Sequence, residues 1–128
     1  MYLGIDFGTS GARGVAIDSA FNIVAEVRYP FKAYEETDLT NCWQNALFSL
    51  LEEIDGELRQ EITRIAINGT SSTVLLCDAQ GNPVDAPLLY NDARGGVMRE
   101  KLKNIAPPNH TVLSATSSLV KLLWMMQL

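Results

Sequence analysis

Two short turn clusters in the first thirty residues leave this chain little freedom in how it begins to fold. Gly8-Thr9-Ser10-Gly11 separates the apolar stretch Tyr2–Phe7 from the extended pattern Ala12–Asp18. Ser19–Asn22 then separates that pattern from the alternating segment Ile23–Tyr29. Alternation and β-branched content mark all three segments as strands. Parallel neighbours need a crossover of a dozen or more residues, so connections this short dictate an antiparallel meander.

The period changes after Pro30 and a polar loop over 32–38. Asp38 or Thr40 can cap a helix there. Trp43, Leu47, Leu50, Leu51 and Ile54 recur at the helical spacing, with Glu52, Glu53 and Asp55 toward the other side. The helix ends at Gly56 or runs on to about Gln60. Arg64–Asn68 reads as a fourth strand. Val74–Cys77 reads as a fifth, closed by the turn Asp78–Pro83, and Pro87–Tyr90 as a short extended piece. A polar helix follows over Gly95–Ile105, halted by Pro107 and Pro108. The order of elements predicts an α/β fold, a mixed sheet with helices packed on it.

The last segment, Ser117–Leu128, has a helical pattern that is apolar on most sides, with no Gly, Asn or Pro stop after it. The expectation is that residues 1–128 are the first part of a longer protein. A bare apolar surface at Leu122–Met126 also predicts self-association of the isolated chain, as a homodimer or higher oligomer.

Composition removes several function classes. With 47% hydrophobic and 20% charged residues, a packed core is expected rather than disorder. Fifteen acidic residues against ten basic ones give a formal charge of −5, and no basic cluster stands out. Nucleic acid is therefore not an expected partner, because binding a phosphate backbone needs a positive surface. No apolar run approaches the ~18 residues of a membrane span, so no membrane partner is expected. The N-terminus lacks the basic stretch of a signal peptide. Cys42 and Cys77 are too few and too scattered for a disulfide framework or a zinc site. A reducing cytoplasm is the default location. The single histidine, His110, lies in PPNHT, far from any serine elbow, and reads as an exposed loop residue.

Three local patterns carry chemistry. The first is Gly4-Ile-Asp6-Phe-Gly8-Thr9-Ser10-Gly11-Ala-Arg13. Gly8 and Gly11 permit tight turns and close backbone approach. The N–H groups of Gly8 to Gly11, with the hydroxyls of Thr9 and Ser10, form a phosphate cradle. Arg13 belongs to the same phosphate-binding set. Asp6 can hold Mg2+, directly or through water. The competing reading is a hairpin turn with an incidental Asp. That accounts for Gly-Thr-Ser-Gly but not for a carboxylate inside an apolar strand, which is costly to bury without a partner. Neither a Walker loop nor a GxGxxG fingerprint is present.

The second pattern, Asn68-Gly69-Thr70-Ser71-Ser72-Thr73, follows the fourth strand. Ligands gather outside the carboxyl ends of strands in open α/β sheets. Small polar residues there suit a polyhydroxylated ligand; they also suit an ordinary loop. The third, Tyr90-Asn91-Asp92-Ala93-Arg94, offers an aromatic face, an amide, an acid and a guanidinium. That mixture recognises sugars, although an Asp92–Arg94 pair equally serves to brace a loop.

With these residues in this order, the chain resembles the N-terminal part of the FGGY carbohydrate kinases. They are a branch of the ribonuclease H-like actin, sugar-kinase and heat-shock ATPase superfamily. The matching pieces are GIDFGTSGARGVAID, Asp38-Leu-Thr-Asn-Cys-Trp43, INGTSSTVLLCDAQGNPV, PLLYNDAR and SLVKLLW. LLCDAQGNPV and YNDAR in register point to this branch over actin-like or chaperone-like ATPases. Within the branch the chain is most similar to pentulose kinases acting on xylulose or ribulose.

The resemblance implies an ATP-dependent enzyme with two domains and a cleft between them. Asp6, Thr9 and Ser10 then belong to the first phosphate loop. Thr70, Ser71, Ser72, Asn91, Asp92 and Arg94 then lie beside the sugar. It also implies a general base beyond residue 128 and an adenosine pocket in a C-terminal domain, so residues 1–128 alone are expected to be inactive. Glycerol kinases carry Arg-Glu where this chain has Thr70-Ser71, and xylulose kinases carry Met-His where it has Ser71-Ser72. Tyr90 replaces the usual Trp of a W-x-D-x-R motif. These departures point away from glycerol and leave xylulose, ribulose or another ketose open. A non-enzymatic small sugar-binding or interaction domain is the competing reading.

Overall fold

The computed structural model describes residues 1–32 and 37–127. Most of the expected polar loop before Asp38, and Leu128, lie outside them. The chain divides into two compact units, Met1–Thr70 and Ser71–Leu128.

The first unit is built on a four-stranded sheet. Strands β1 (Tyr2–Phe7), β2 (Gly11–Ile17) and β3 (Ile23–Pro30) form the expected antiparallel meander. Strand β4 (Arg64–Gly69) pairs parallel to β1, giving the order β3-β2-β1-β4. The parallel pairing needs a crossover, which helices α1 (Leu39–Glu53) and α2 (Gly56–Gln60) supply. The start of β4 is tied to the chain terminus: the Met1 ammonium donates to the Glu61 carbonyl at 2.9 Å, and the Thr63 N–H donates to the Met1 carbonyl at 2.9 Å.

One sheet face is covered and carries the core. Leu3 and Ile5 of β1 and Ala12 and Ala16 of β2 pack with Ala46 and Leu50 of α1 and with Ile54. Small side chains on β2 leave room for the helix. The buried row of α1 runs through Cys42, Ala46 and Leu50, while Trp43, Leu47 and Leu51 are only partly buried. Asp38 caps α1, its carboxylate accepting from the Asn41 N–H. The helix ends earlier than either expected stop. Ile54 turns extended to reach the core, and Asp55 caps α2 by accepting from the Glu57 and Leu58 N–H groups. A strong capping residue beside Gly56 makes restarting cheaper than continuing.

The second unit is mostly irregular. The expected fifth strand is absent as a strand. Val74 pairs with Leu88, and Cys77 with Pro83, as isolated antiparallel bridges. Pro83 and Pro87 lack an N–H on the facing segment, so no continuous ladder can form. The expected polar helix is broken as well. A 3₁₀ turn spans Arg94–Met98, and only Arg99–Leu102 (α3) is α-helical. Gly95 and Gly96 are poor helix formers, and Gly95 serves another purpose. A Cβ there would lie 2.7 Å from the carbonyl carbon and oxygen of Val120. Those atoms belong to helix α4 (Ser118–Met125), which Ser117 caps by accepting from the Val120 N–H. Met98, Leu102 and Val120 form the unit's apolar cluster. Met125 is buried, and Leu122, Leu123 and Trp124 are partly so, which leaves less exposed apolar surface on α4 than its sequence implies.

The same hairpin closure occurs in both units. Asp18 accepts from the N–H groups of Ala20 and Asn22 and from the Asn22 amide. Asp78 accepts from the N–H groups of Gln80 and Asn82 and from the Asn82 amide. These Asx-type bonds favour the ionised carboxylates. The Asn22 side chain foremost holds the Asp18 carboxyl below its usual range. The Asn82 N–H foremost does the same for Asp78, and the Asn41 N–H for Asp38. Lowered folded values mean stabilisation that is complete above the unfolded carboxylate value, about 3.9, and is lost as pH falls through the folded values. The denaturant midpoint is therefore expected to hold from neutrality to about pH 5 and to drop steadily toward about pH 3. Urea titrations across that range check it; an unchanged midpoint at the acid end would contradict the assignment. Replacing both Asp18 and Asp78 by Ala should flatten the decline.

Candidate functional site

The register of the sheet builds a first cluster of candidate residues within Met1–Thr70. Asp6 of β1 stands opposite Arg13 of β2 on one side and Asn68 of β4 on the other. All three side chains therefore share the face away from the α1 core. The Asn68 amide donates to Asp6 Oδ1 at 2.9 Å, and Arg13 lies 3.7 Å from Asp6 Oδ2. The Asp6 side chain is 45% exposed. It is thus not the buried carboxylate its apolar strand suggests. Alternation along β1 sends Leu3 and Ile5 inward and Asp6 outward. Asn68 lies inside a pattern the sequence already singles out, but its bond to Asp6 depends on the parallel pairing of β4.

The turn after β1 differs in one respect from the expected cradle. The Gly8 N–H is consumed within the turn, donating to the Gly11 carbonyl at 2.9 Å. The Ser10 carbonyl accepts from the Phe31 N–H at 3.0 Å. Thr9 and Ser10 are exposed. Among the described residues, their N–H groups and hydroxyls have no protein partner. The Gly8 N–H is thus withdrawn from the expected cradle, while the Thr9 and Ser10 donors are free to meet an anion. Gly11 is required for another reason, since a Cβ there would sit 2.6 Å from the Tyr29 carbonyl oxygen of β3. Thr70, just past β4, donates from its N–H to the Phe7 carbonyl at 3.1 Å. It is half-buried and fixed to the end of β1.

Ser71, Ser72, Asn91, Asp92 and Arg94 all belong to the second unit. Ser71, Tyr90 and Asn91 are exposed. Asp92 and Arg94 form the brace that the sequence left as one of two readings. The Arg94 guanidinium donates from Nε at 2.9 Å and from a terminal nitrogen at 2.6 Å to Asp92 Oδ2, and the Arg94 N–H donates to Oδ1 at 3.0 Å. The Arg94 side-chain bonds foremost hold the Asp92 carboxyl below its usual range, and the same contact raises Arg94. Each carboxylate oxygen has more than one lone pair, so bracing does not prevent Asp92 from accepting a further hydroxyl.

Two residues behind this segment, both within the piece SLVKLLW, have no site role in the sequence reading. Trp124 of α4 lies under Arg94, with the guanidinium carbon 5.4 Å from the ring centroid. Lys121, one turn earlier on α4, is fully buried and donates to three backbone carbonyls, those of Ser72, Leu89 and Tyr90. The available signal was a lone charge in the otherwise apolar run Leu119–Met126. His110 is exposed, its Nδ1 accepting from the Val112 N–H, as expected of a loop residue. Cys42 is buried and Cys77 exposed, and neither forms a disulfide among the described residues. No helix among the described residues is long and apolar enough to cross a membrane.

Comparisons with known proteins agree with this architecture. The chain is 27% identical to a xylulose kinase of Staphylococcus epidermidis over 98% of its own length and 27% of that protein's. It is 30% identical to a glycerol kinase of Saccharolobus islandicus over 79% of this chain and 22% of that one. Among solved structures, a xylulose kinase from Brucella ovis superposes with a TM-score of 0.78 at 23% identity, covering 98% of this chain and 29% of that chain. This likeness establishes that the chain has the fold of the corresponding part of that sugar kinase. The chain thus spans between a fifth and a third of the length of these proteins. The family model for the N-terminal domain of the FGGY carbohydrate kinases matches residues 1–127, and with that match the chain belongs to the FGGY family of carbohydrate kinases.

Proposed function

We propose that this chain is the opening part of the sugar-binding domain of an ATP-dependent pentulose kinase. The enzyme transfers the γ-phosphoryl group of ATP to a hydroxyl of a ketopentose such as D-xylulose or D-ribulose. The observation that carries the reading is Asp6, held between Arg13 and Asn68 at the mouth of a turn whose Thr9 and Ser10 donors are free. A carboxylate, a guanidinium and unpartnered N–H and O–H donors at one strand end are what phosphoryl transfer uses for positioning and charge stabilisation.

The donor set also bears on Mg2+. No cluster of three or more acidic, His or Cys residues able to hold a metal occurs among the described residues. Mg2+ does not require one, since it binds through one or two carboxylates, water and substrate phosphate. The half-exposed Asp6 fits that role as a single ligand, direct or through water. Asp6 would hold the ion, which would supply neutralising positive charge to the oxygens of a bound phosphate. Thr9 and Ser10 orient those oxygens, and Arg13 adds positive charge. In this reading the carboxylate that takes the proton from the sugar hydroxyl lies in the rest of the enzyme, so residues 1–128 alone should not turn over.

The sugar is read by the small hydroxyls of Ser71 and Ser72 and by Asn91 and Asp92. Ser72 sits at φ 64°, a left-handed conformation that favours glycine. An Ala substitution there would remove the hydroxyl and keep the strain, whereas Ser72→Gly removes the hydroxyl and relieves it. Ser72→Gly is expected to raise KM for the ketose about three- to tenfold, the worth of one hydrogen bond, with KM for ATP unchanged. A coupled ADP-release assay of the full-length enzyme against a panel of ketoses, polyols and glycerol tests both points. Glycerol as the best acceptor, or no sugar-dependent ADP release, would overturn the reading.

A further inference from the structure

Lys121 is the one fully buried charged side chain among the described residues. Its neighbours along α4 are Leu119, Val120, Leu122, Leu123, Trp124 and Met125. A leucine or methionine would satisfy an ordinary core position there. A buried ammonium is costly unless its donors are all met. Here they are met by backbone alone: Nζ donates to the carbonyls of Ser72 at 2.5 Å, Leu89 at 2.6 Å and Tyr90 at 3.3 Å. An ammonium has three N–H donors and all three are used.

The three carbonyls are not scattered. The Ser72 carbonyl belongs to the residue held at φ 64°. Backbone in that region persists only where surrounding structure over-determines it. The Leu89 carbonyl also accepts from the Asp92 N–H at 2.9 Å, closing the turn that presents Asn91 and Asp92. Three residues further along α4, Trp124 lies under Arg94, whose fork grips Asp92. Successive turns of one helix therefore hold the Ser72 loop and the Tyr90–Arg94 segment. The tight approach of Gly95 to the Val120–Lys121 peptide sets the depth at which Lys121 enters.

We propose that Lys121 is the positioning residue of the sugar-facing loops. It pins Ser72 in its left-handed conformation and fixes the Leu89–Asp92 turn at the same point. The Lys121 ammonium donates its hydrogen bonds to backbone carbonyls and takes no part in phosphoryl transfer. The inference rests on the proposal that these loops bind the sugar.

The test uses the full-length enzyme with D-ribulose and D-xylulose. Lys121→Met keeps the length and apolar stem and removes the three donors. It is expected to raise KM for the sugar about tenfold or more while KM for ATP moves less than about twofold. Amide exchange should quicken in peptides spanning 71–77 and 88–94 and stay unchanged across β1 to β4. Glycine adopts the left-handed conformation without help. In a Ser72→Gly background, Lys121→Met should therefore raise the sugar KM by a clearly smaller factor. Equal factors in both backgrounds, a normal sugar KM in a folded Lys121→Met enzyme, or equal losses toward sugar and ATP would overturn the proposal. Should Lys121→Met not fold, the wild type decides. With 15N-labelled lysine, the Lys121 ammonium resonance must shift on sugar addition, and an unmoved resonance sinks the proposal. Failure of the wild type to use any ketose removes the sugar-kinase reading and this inference with it. Ketose turnover with a normal sugar KM in the variant removes only the inference.

Discussion

Asp6→Asn in the full-length enzyme is expected to lower turnover about a hundredfold or more while leaving the fold intact, since charge-stabilising groups at a transferring phosphoryl are commonly worth several kcal/mol. The substitution is close to isosteric. The new amide oxygen can still accept from the Asn68 amide, so the contact across β1 and β4 survives. What disappears is one negative charge, and with it the ion pair to Arg13 at 3.7 Å. That pair is half-exposed on both sides and contributes at most a few tenths of a kcal/mol to stability. The two effects therefore separate. The thermal midpoint should hardly move, KM for the sugar should change little, and the loss should appear in kcat. Stopped-time ADP release at saturating sugar and ATP measures it. Equal turnover in variant and wild type removes Asp6 from the site, and a matched fall in stability assigns it a structural part.

Much of the first unit was legible because its signals are local. The alternation Leu3-Gly4-Ile5-Asp6 and the two turn clusters specify the meander without help from distant residues. Asp38 as a cap is equally local. The failures have non-local causes. The break between α1 and α2 comes from the pull of Ile54 into a core formed by β1 and β2. Val74–Cys77 has a strand's composition, but its facing segment carries Pro83 and Pro87, and pairing is a property of both partners. The site follows the same division. Asp6, Thr9 and Ser10 are visible as a motif. The loss of the Gly8 N–H to the Gly11 carbonyl is not visible, because it depends on the turn's geometry. Lys121 was hidden for the opposite reason: an apolar helix pattern tolerates one charge, and only the backbone carbonyls of residues 32 and 49 positions away explain it.

Gly95→Ala is expected to destabilise the second unit by about 1–3 kcal/mol, a large share of a typical domain's total, because it overpacks a contact that cannot yield. The new methyl would lie 2.7 Å from Val120 carbonyl carbon and oxygen and 2.8 Å from the Lys121 nitrogen. All three are main-chain atoms inside α4, so relief requires moving the helix rather than rotating a side chain. Movement of α4 carries Lys121 away from the Ser72, Leu89 and Tyr90 carbonyls and Trp124 from Arg94. Two neighbouring substitutions calibrate the effect. At Gly96 a Cβ would meet the Ala115 Cβ at 3.0 Å and its Cα at 3.6 Å, a looser approach than at Gly95, and the cost should be smaller. At Gly56, the first residue of α2, nothing lies within 4 Å, and Ala should stabilise by about 0.4–1 kcal/mol by restricting the unfolded chain. Urea unfolding of the three variants, with amide exchange to locate the loss, gives the ranking. Gly95→Ala must be the least stable, with quickened exchange in Ser71–Leu128 and little change in β1 to β4. A Gly95→Ala protein as stable as the Gly56→Ala one would mean that α4 does not rest on Gly95, and the support proposed for the sugar-facing loops would lose its anchor.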